Sequence, residues 1–142
     1  MSVPLIQRPH YFSGEALVTD DFVCEQQYHM TIQSLNNRSL YTYGVARGLE
    51  VVWDAKTNAN QVEVRAGMAI DRLGQQIILL QSQVVQLTDV VPGATYFLTI
   101  NYHEVYADYE DQTGVAGYKR IVEIPQIRYV RNLQDPGLNI LL

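Results

Sequence analysis

The sequence predicts a mainly β protein: an antiparallel β-sandwich with one N-terminal α-helix and extended N- and C-terminal arms. Between Gly44 and Leu80 apolar residues recur at every second position, the spacing that gives a strand one buried and one wet face. Only one stretch, residues 19–38, suits a helix. One helix cannot cover much sheet, so the strands must cover one another, as a β-sandwich or a partly closed barrel. The expected organisation is a single domain with an arm over 1–14, the helix over 19–38, a sheet region over 44–130 and a tail over 131–142. Six or seven strands are expected.

Residues 1–14 hold Pro4, Pro9 and Gly14 and show no periodicity. They are expected to run extended, along the domain or out to a neighbour. Arg8-Pro9-His10-Tyr11-Phe12 sets two aromatics beside a cation, as an anchor or as a cover for the core. Thr19-Asp20-Asp21 suits a helix start, because side-chain oxygens cap free N–H groups and negative charge favours that end. Phe22, Tyr28, Ile32 and Leu35 can share one broad face. Asn36-Asn37 is expected to end the helix, and Leu40-Tyr41-Thr42-Tyr43 leads into the sheet.

Val45, Leu49, Val51 and Trp53 keep strand spacing with a break at Arg47-Gly48. Gly44 and Gly48 allow a bulge or a close backbone approach there. Asp54 to Asn60 reads as an exposed hairpin loop. Val62, Val64, Ala66, Met68 and Ile70 form the next strand, and Asp71-Arg72-Leu73-Gly74 reverses the chain. Gly74 is expected at positive φ, with Asp71 hydrogen-bonding its own backbone; that role is commoner for a turn Asp than acid or ligand. Ile77 to Leu80 reads as a strand covered on both faces.

Val84 to Leu87 is a short strand, Val91 to Ala94 a turn, and Tyr96 to Tyr102 a strong strand reaching toward Tyr106. Ala107 to Gly117, with Asp108, Glu110 and Asp111, is expected to be a mobile, solvated loop. It lacks the ligand spacing of a helix–loop–helix calcium site. Arg120 to Val130 reads as the last strand, Pro125 marking an edge or bulge. After a Pro136-Gly137 turn, Leu138, Ile140, Leu141 and Leu142 make an apolar tail, packed on its own domain or docked on another chain.

Composition narrows the function classes. The chain has 142 residues, 47% hydrophobic, enough for an ordinary core in one domain. No apolar run approaches the roughly 20 residues of a membrane helix. MSVPLIQRPHYF lacks the layout of a signal peptide, so synthesis and folding in a cytoplasm are expected. The single Cys24 excludes an internal disulfide framework and cysteine-built zinc sites. With a net charge of −5 and only two lysines, no basic patch for phosphates is visible. Ten tyrosines suit a protein–protein interface as well as β-structure. Asp20, Asp21 and Glu25 are more simply helix-end acids than paired catalytic carboxylates. His29 has no companion ligand spaced for a metal with His10 or His103, and Asn37-Arg38-Ser39 fits a glycosylation pattern without a secretory signal.

A set of motifs adds to this. Arg8-Pro-His-Tyr-Phe-Ser-Gly14, Leu17-Val-Thr-Asp-Asp-Phe22, Glu25-Gln-Gln-Tyr-His29, Asn37-Arg38, Tyr43-Gly-Val-Ala-Arg-Gly-Leu49, Ala69-Ile-Asp71 and Gly74-Gln-Gln-Ile77 occur in that order. Together they resemble the anchoring domains of tail and baseplate proteins in contractile phages and contractile injection systems. More distantly, the layout is similar to the N-terminal, shoulder-like domain of the type VI secretion baseplate protein TssK. The resemblance covers about residues 8–80. It implies a β-sandwich with a short helical segment that fastens a trimeric adhesin or adaptor to a baseplate. Fibre proteins of this kind continue into a shaft and tip, whereas this sequence stops at Leu142, so an adaptor or small baseplate component is expected.

The functional expectation is therefore a structural, non-enzymatic part of a phage-like tail or injection-system particle, made in a bacterial cytoplasm. Its expected partners are baseplate wedge proteins and a tail-fibre protein. A homotrimer is expected, with no cofactor, no metal, no nucleic acid and no membrane insertion. Tyr11, Phe12, Tyr41, Tyr43, Leu138, Ile140, Leu141 and Leu142 are the interface candidates, though each could equally be core. Gly44, Gly48, Asp71 and Gly74 are the structural turn positions. A carbohydrate- or receptor-binding module at the tail tip is the alternative. A surface-polymer hydrolase comes third, since no matched carboxylate pair stands outside the helix start.

Overall fold

The computed structural model describes residues 5–142; the first four residues of the predicted arm, Pro4 among them, lie outside that range. The fold is mainly β, 38% strand against 16% helix, and β-sandwich-like with a single helix. Helix α1 spans Thr19–Leu40. Eleven strands follow: β1 Gly44–Gly48, β2 Val51–Val52, β3 Gln61–Val64, β4 Gly67–Ile70, β5 Gln76–Leu79, β6 Gln83–Gln86, β7 Phe97–Asn101, β8 Glu104–Gln112, β9 Val115–Glu123, β10 Gln126–Val130 and β11 Ile140–Leu141. Every pairing is antiparallel. The sheets run β1-β4-β5, β2-β3-β6, β10-β7-β11 and β8-β9.

Part of the excess over the six or seven strands expected arises because two long periodic runs break. Residues 44–52 and 61–70 form one long hairpin that bends at a shared corner. On one side Gly48 and Leu49 both adopt left-handed backbone, φ 65° and 57°. Opposite them, Gly48 faces Gly67, and a Cβ on Gly48 would lie 2.2 Å from the Ala66 carbonyl oxygen. The ladder survives the bend through Leu49 N–H to Ala66 O, 3.3 Å, and Arg65 N–H to Glu50 O, 2.9 Å. The hairpin thus passes from one sheet into another. Crossing the corner shifts the buried phase: Val64 and Ala69 face the core, while Ala66 is exposed. The single alternating strand expected over 62–70 is therefore two strands in two sheets. A β-branch-free, Gly-flanked corner is what allows the shift, since one extra residue moves side chains to the opposite face. A register irregularity between Val45 and Arg47 adds a bulge just before it.

One core serves three sheets. Leu49, Val64, Ala69, Ile77, Leu79, Ile100 and Ile140 pack together, with Val85, Leu98, Tyr102, Ile127 and Leu142 against them. Strand β5 is covered on one face only: Ile77 and Leu79 are buried, Ile78 and Leu80 exposed. This corrects the expectation of cover on both faces. The corner itself is held by burial: left-handed backbone at Leu49 costs about 1–2 kcal/mol, and burying its side chain returns about 1.5–3 kcal/mol.

Three further expectations change. The region 107–117 is not a loop but the tip of the β8–β9 hairpin, turning at Thr113-Gly114 with Gly114 at φ 89°. Its alternation is masked because both faces of the ribbon are wet. The strand expected over 120–130 is broken at Ile124-Pro125 into β9 and β10; proline removes a ladder donor there. The tail pairs: Ile140 and Leu141 run beside Ile100 and Thr99 of β7, and the Leu142 N–H donates to Leu98 O at 3.0 Å.

Candidate interaction surface

The turn between β4 and β5 is where separate parts of the chain meet. Gly74 adopts φ 84°. Asp71 is buried, and its Oδ1 accepts from the Leu73 and Gln75 N–H groups, both at 2.9 Å. Burial raises the pKa of its carboxyl, with those N–H donors pulling the other way. From one side comes α1. Asn37 Nδ2 donates to the Gly74 carbonyl at 2.9 Å, and a Cβ on Gly74 would sit 2.1 Å from the Ser34 carbonyl oxygen. Gln33 adds a bond to Gln76 at 2.9 Å. From the other side comes the segment before β11. The Arg72 N–H donates to Gly137 O at 2.7 Å, and its guanidinium grips Asp135 through two bonds of 3.2 and 3.1 Å.

Asn37 was expected to end the helix. Instead the helix runs on to Leu40, and Asn37 is its one buried residue. The signal against helix interior was real, because Asn favours caps; here a buried amide contact outweighs it. Nor do side chains cap the first-turn N–H groups as Thr19-Asp20-Asp21 suggested. Val18 holds the cap position, and its N–H donates to the Asp21 carboxylate at 2.8 Å. Of the expected helix face, Tyr28, Ile32 and Leu35 are half-buried and Phe22 is exposed. Val23 and Met30 are exposed as well. The N-terminal arm lies against this part of α1: Tyr11 Oη reaches Glu25 at 3.4 Å, and Leu5 and Ile6 share a hollow of ≈ 510 Å³ with Val23, Cys24 and Tyr28.

The interface candidates divide. Tyr11, Phe12, Tyr41, Tyr43 and Leu141 are exposed. Tyr41 closes α1, its N–H donating to Asn37 O at 2.9 Å. It lines a hollow of ≈ 540 Å³ with Val45, Met68 and Ile70. Leu138 and Leu142 are half-buried. Ile140, at 2% exposure, is a core residue and leaves the set of candidates. Gly44 lies at φ 143° at the start of β1, with open space where a Cβ would go. Gly67, which the sequence reading passed over, is as crowded as Gly48: a Cβ there would meet the Arg47 carbonyl oxygen at 2.3 Å.

The largest exposed feature missed from sequence is the β8–β9 hairpin. Every residue of β9 is exposed. Tyr106, Tyr109 and Tyr118 cluster on it, with ring centroids 5.6 Å apart for Tyr106–Tyr118 and 5.1 Å for Tyr109–Tyr118. Lys119 pairs with Glu110 and Arg120 with Asp108 across the ribbon. At its base the Tyr102 hydroxyl donates toward Glu104 at 2.8 Å, with Glu123 3.3 Å away. Burial and the two carboxylates hold that phenol well above its usual pKa.

Among the described residues no three His, Cys, Asp or Glu side chains converge as metal ligands, and no helix is long and apolar enough to cross a membrane. His29 pairs with Glu25, one turn away on α1, at 3.0 Å. The features that stand out define a β-sandwich-like protein with unusually exposed apolar elements. No protein-family model matches the chain, and no curated protein matches it.

Proposed function

We propose that this chain is a structural component of a phage-like contractile tail, attaching a tail fibre or receptor-binding protein to the baseplate. The observation that carries this reading is the apolar surface on three elements: the segment before α1, the first half of α1, and the β8–β9 hairpin. An assembly subunit needs such faces, because its neighbours cover them. The motifs between Arg8 and Ile77 and their resemblance to tail anchoring domains point to the kind of assembly. On this reading the neighbours are baseplate wedge proteins and a tail-fibre protein, and the subunit is a homotrimer.

The test is to purify tail or injection particles from cells that make the chain and label them with an antibody against it. Label at the baseplate end is the expected result. Intact particles that lack the chain would sink the proposal. A second reading, a carbohydrate- or receptor-binding module at the tail tip, draws on the clustered hairpin tyrosines, whose ring faces could stack on sugars. Binding of the isolated chain to a glycan array would favour it.

A further inference from the structure

We infer that the β8–β9 hairpin is an assembly arm that pairs with a second copy of this chain, β8 of one copy lying beside β9 of the next. Each strand has nine residues, so the arm is about 30 Å long. It forms a sheet of two strands only, and among the described residues neither outer edge has a strand partner. A two-stranded ribbon is marginal in water by itself, and free edges are templates for another chain. This one also leaves large apolar groups in solvent: Val115 at 75%, Tyr106 at 69% and Ile121 at 55% exposure.

Charge selects the partner edge. Strand β8 carries Glu104, Asp108, Glu110 and Asp111 and no basic residue; β9 carries Lys119 and Arg120 against one acid, Glu123. Pairing β8 with β8 would bring two strands of carboxylates together with no cation between them, and β9 with β9 would join two strands of net positive charge. Like charges directly opposite destabilise a strand pair. Pairing β8 with β9 instead gives each cation an acidic strand on both sides, its own β8 and the neighbour's. That contact is head-to-tail, so copies follow one another around an axis, and a rotation that closes makes a ring. Side chains along the paired edges then gain cross-strand neighbours from the adjacent arm. This rests on the hairpin alone and does not depend on the tail assignment.

The experiment is light scattering of the full chain, with far-UV circular dichroism to confirm folding. The wild type should form a closed oligomer of fixed size whose dissociation constant rises with salt. K119E/R120E should weaken association by about tenfold or more. Since that variant also loses the pairs within the hairpin, a fourfold swap, D108R/E110K/K119E/R120D, restores them with reversed sign. It should again self-associate, yet not mix with wild type, because both mixed edges would be like-charged. A monomeric wild type, an unchanged mass for K119E/R120E, or mixed oligomers of the swapped and wild-type chains would each overturn the inference. The last outcome would show pairing of like edges.

Discussion

Replacing Gly74 with alanine tests whether the β4–β5 turn holds the helix to the sheets. Two costs add. Left-handed backbone, φ 84° at this position, costs about 1–2 kcal/mol for a residue with a Cβ. The new Cβ would also lie 2.1 Å from the Ser34 carbonyl oxygen. That contact is backbone and cannot swing aside, so α1 must move by more than an ångström. Moving it breaks the 2.9 Å bond from Asn37 to the Gly74 carbonyl and leaves a buried amide unpaired, for about 1–3 kcal/mol. The sum is roughly 2–5 kcal/mol, or about 6–20 °C in melting temperature for a chain of this size. Gly93 supplies the control. It has φ 80° and open space around its missing Cβ, so Gly93→Ala carries only the backbone part. Thermal unfolding of both variants, with hydrogen exchange read over 33–40 and 71–75, separates the costs. Equal destabilisation by G74A and G93A, with unchanged exchange in α1, would refute the reasoning.

The neighbouring Asp71 makes a pH-dependent prediction. Burial raises its folded-state pKa, so the stability it contributes is fully present below about pH 3.9, its unfolded value, and is lost as pH rises through the raised folded value. Asp71→Asn keeps an acceptor for Leu73 and Gln75 without the charge. It should melt at or above wild type at neutral pH, with the gap closing in acid; a gap that widens in acid would contradict this. Asp71→Ala orphans both donors and should cost roughly 2–4 kcal/mol, read by urea denaturation. In β11, Ile140→Ala should cost about 2–5 kcal/mol, whereas exposed Leu141→Ala should stay within about 0.5 kcal/mol. Similar losses for both would remove the tail from the core.

Much of the fold was legible because its signals are local. The one helix, the turn glycine at 74, the Asp71 bonds and the strand at 97–101 all follow from spacing or turn chemistry within a few residues. What was hidden depends on contacts across the chain. Asn37 has a poor helix propensity, and only the Gly74 carbonyl, 37 residues on, explains its place inside α1. The corner is marked on one side by the break at Arg47-Gly48, but on the facing side the alternation from Val62 to Ile70 runs straight through it. Ile140 looks like a docking residue until Ile100 is seen opposite. The β8–β9 ribbon escaped for the opposite reason. With no face buried, its acids and glycines look like a loop, although the cross-strand pairs Lys119–Glu110 and Arg120–Asp108 are those of a ladder.

The meeting of three segments at the β4–β5 turn also sets an order of folding events. Asp71 bonds residues two and four positions away, and β4 pairs with β5 directly across the turn. Asn37 joins from 37 residues away and Asp135 from 63. Closing a longer loop costs more chain entropy, so the turn is built before the helix and the tail are added to it. Stopped-flow kinetics should then divide the variants: loss of Asp71 slows folding, and loss of the Arg72–Asp135 pair mainly speeds unfolding. The last segments to join are the first to leave, so the contacts of Arg72 and Asn37 act on the native lifetime of the core and little on the rate at which the turn forms.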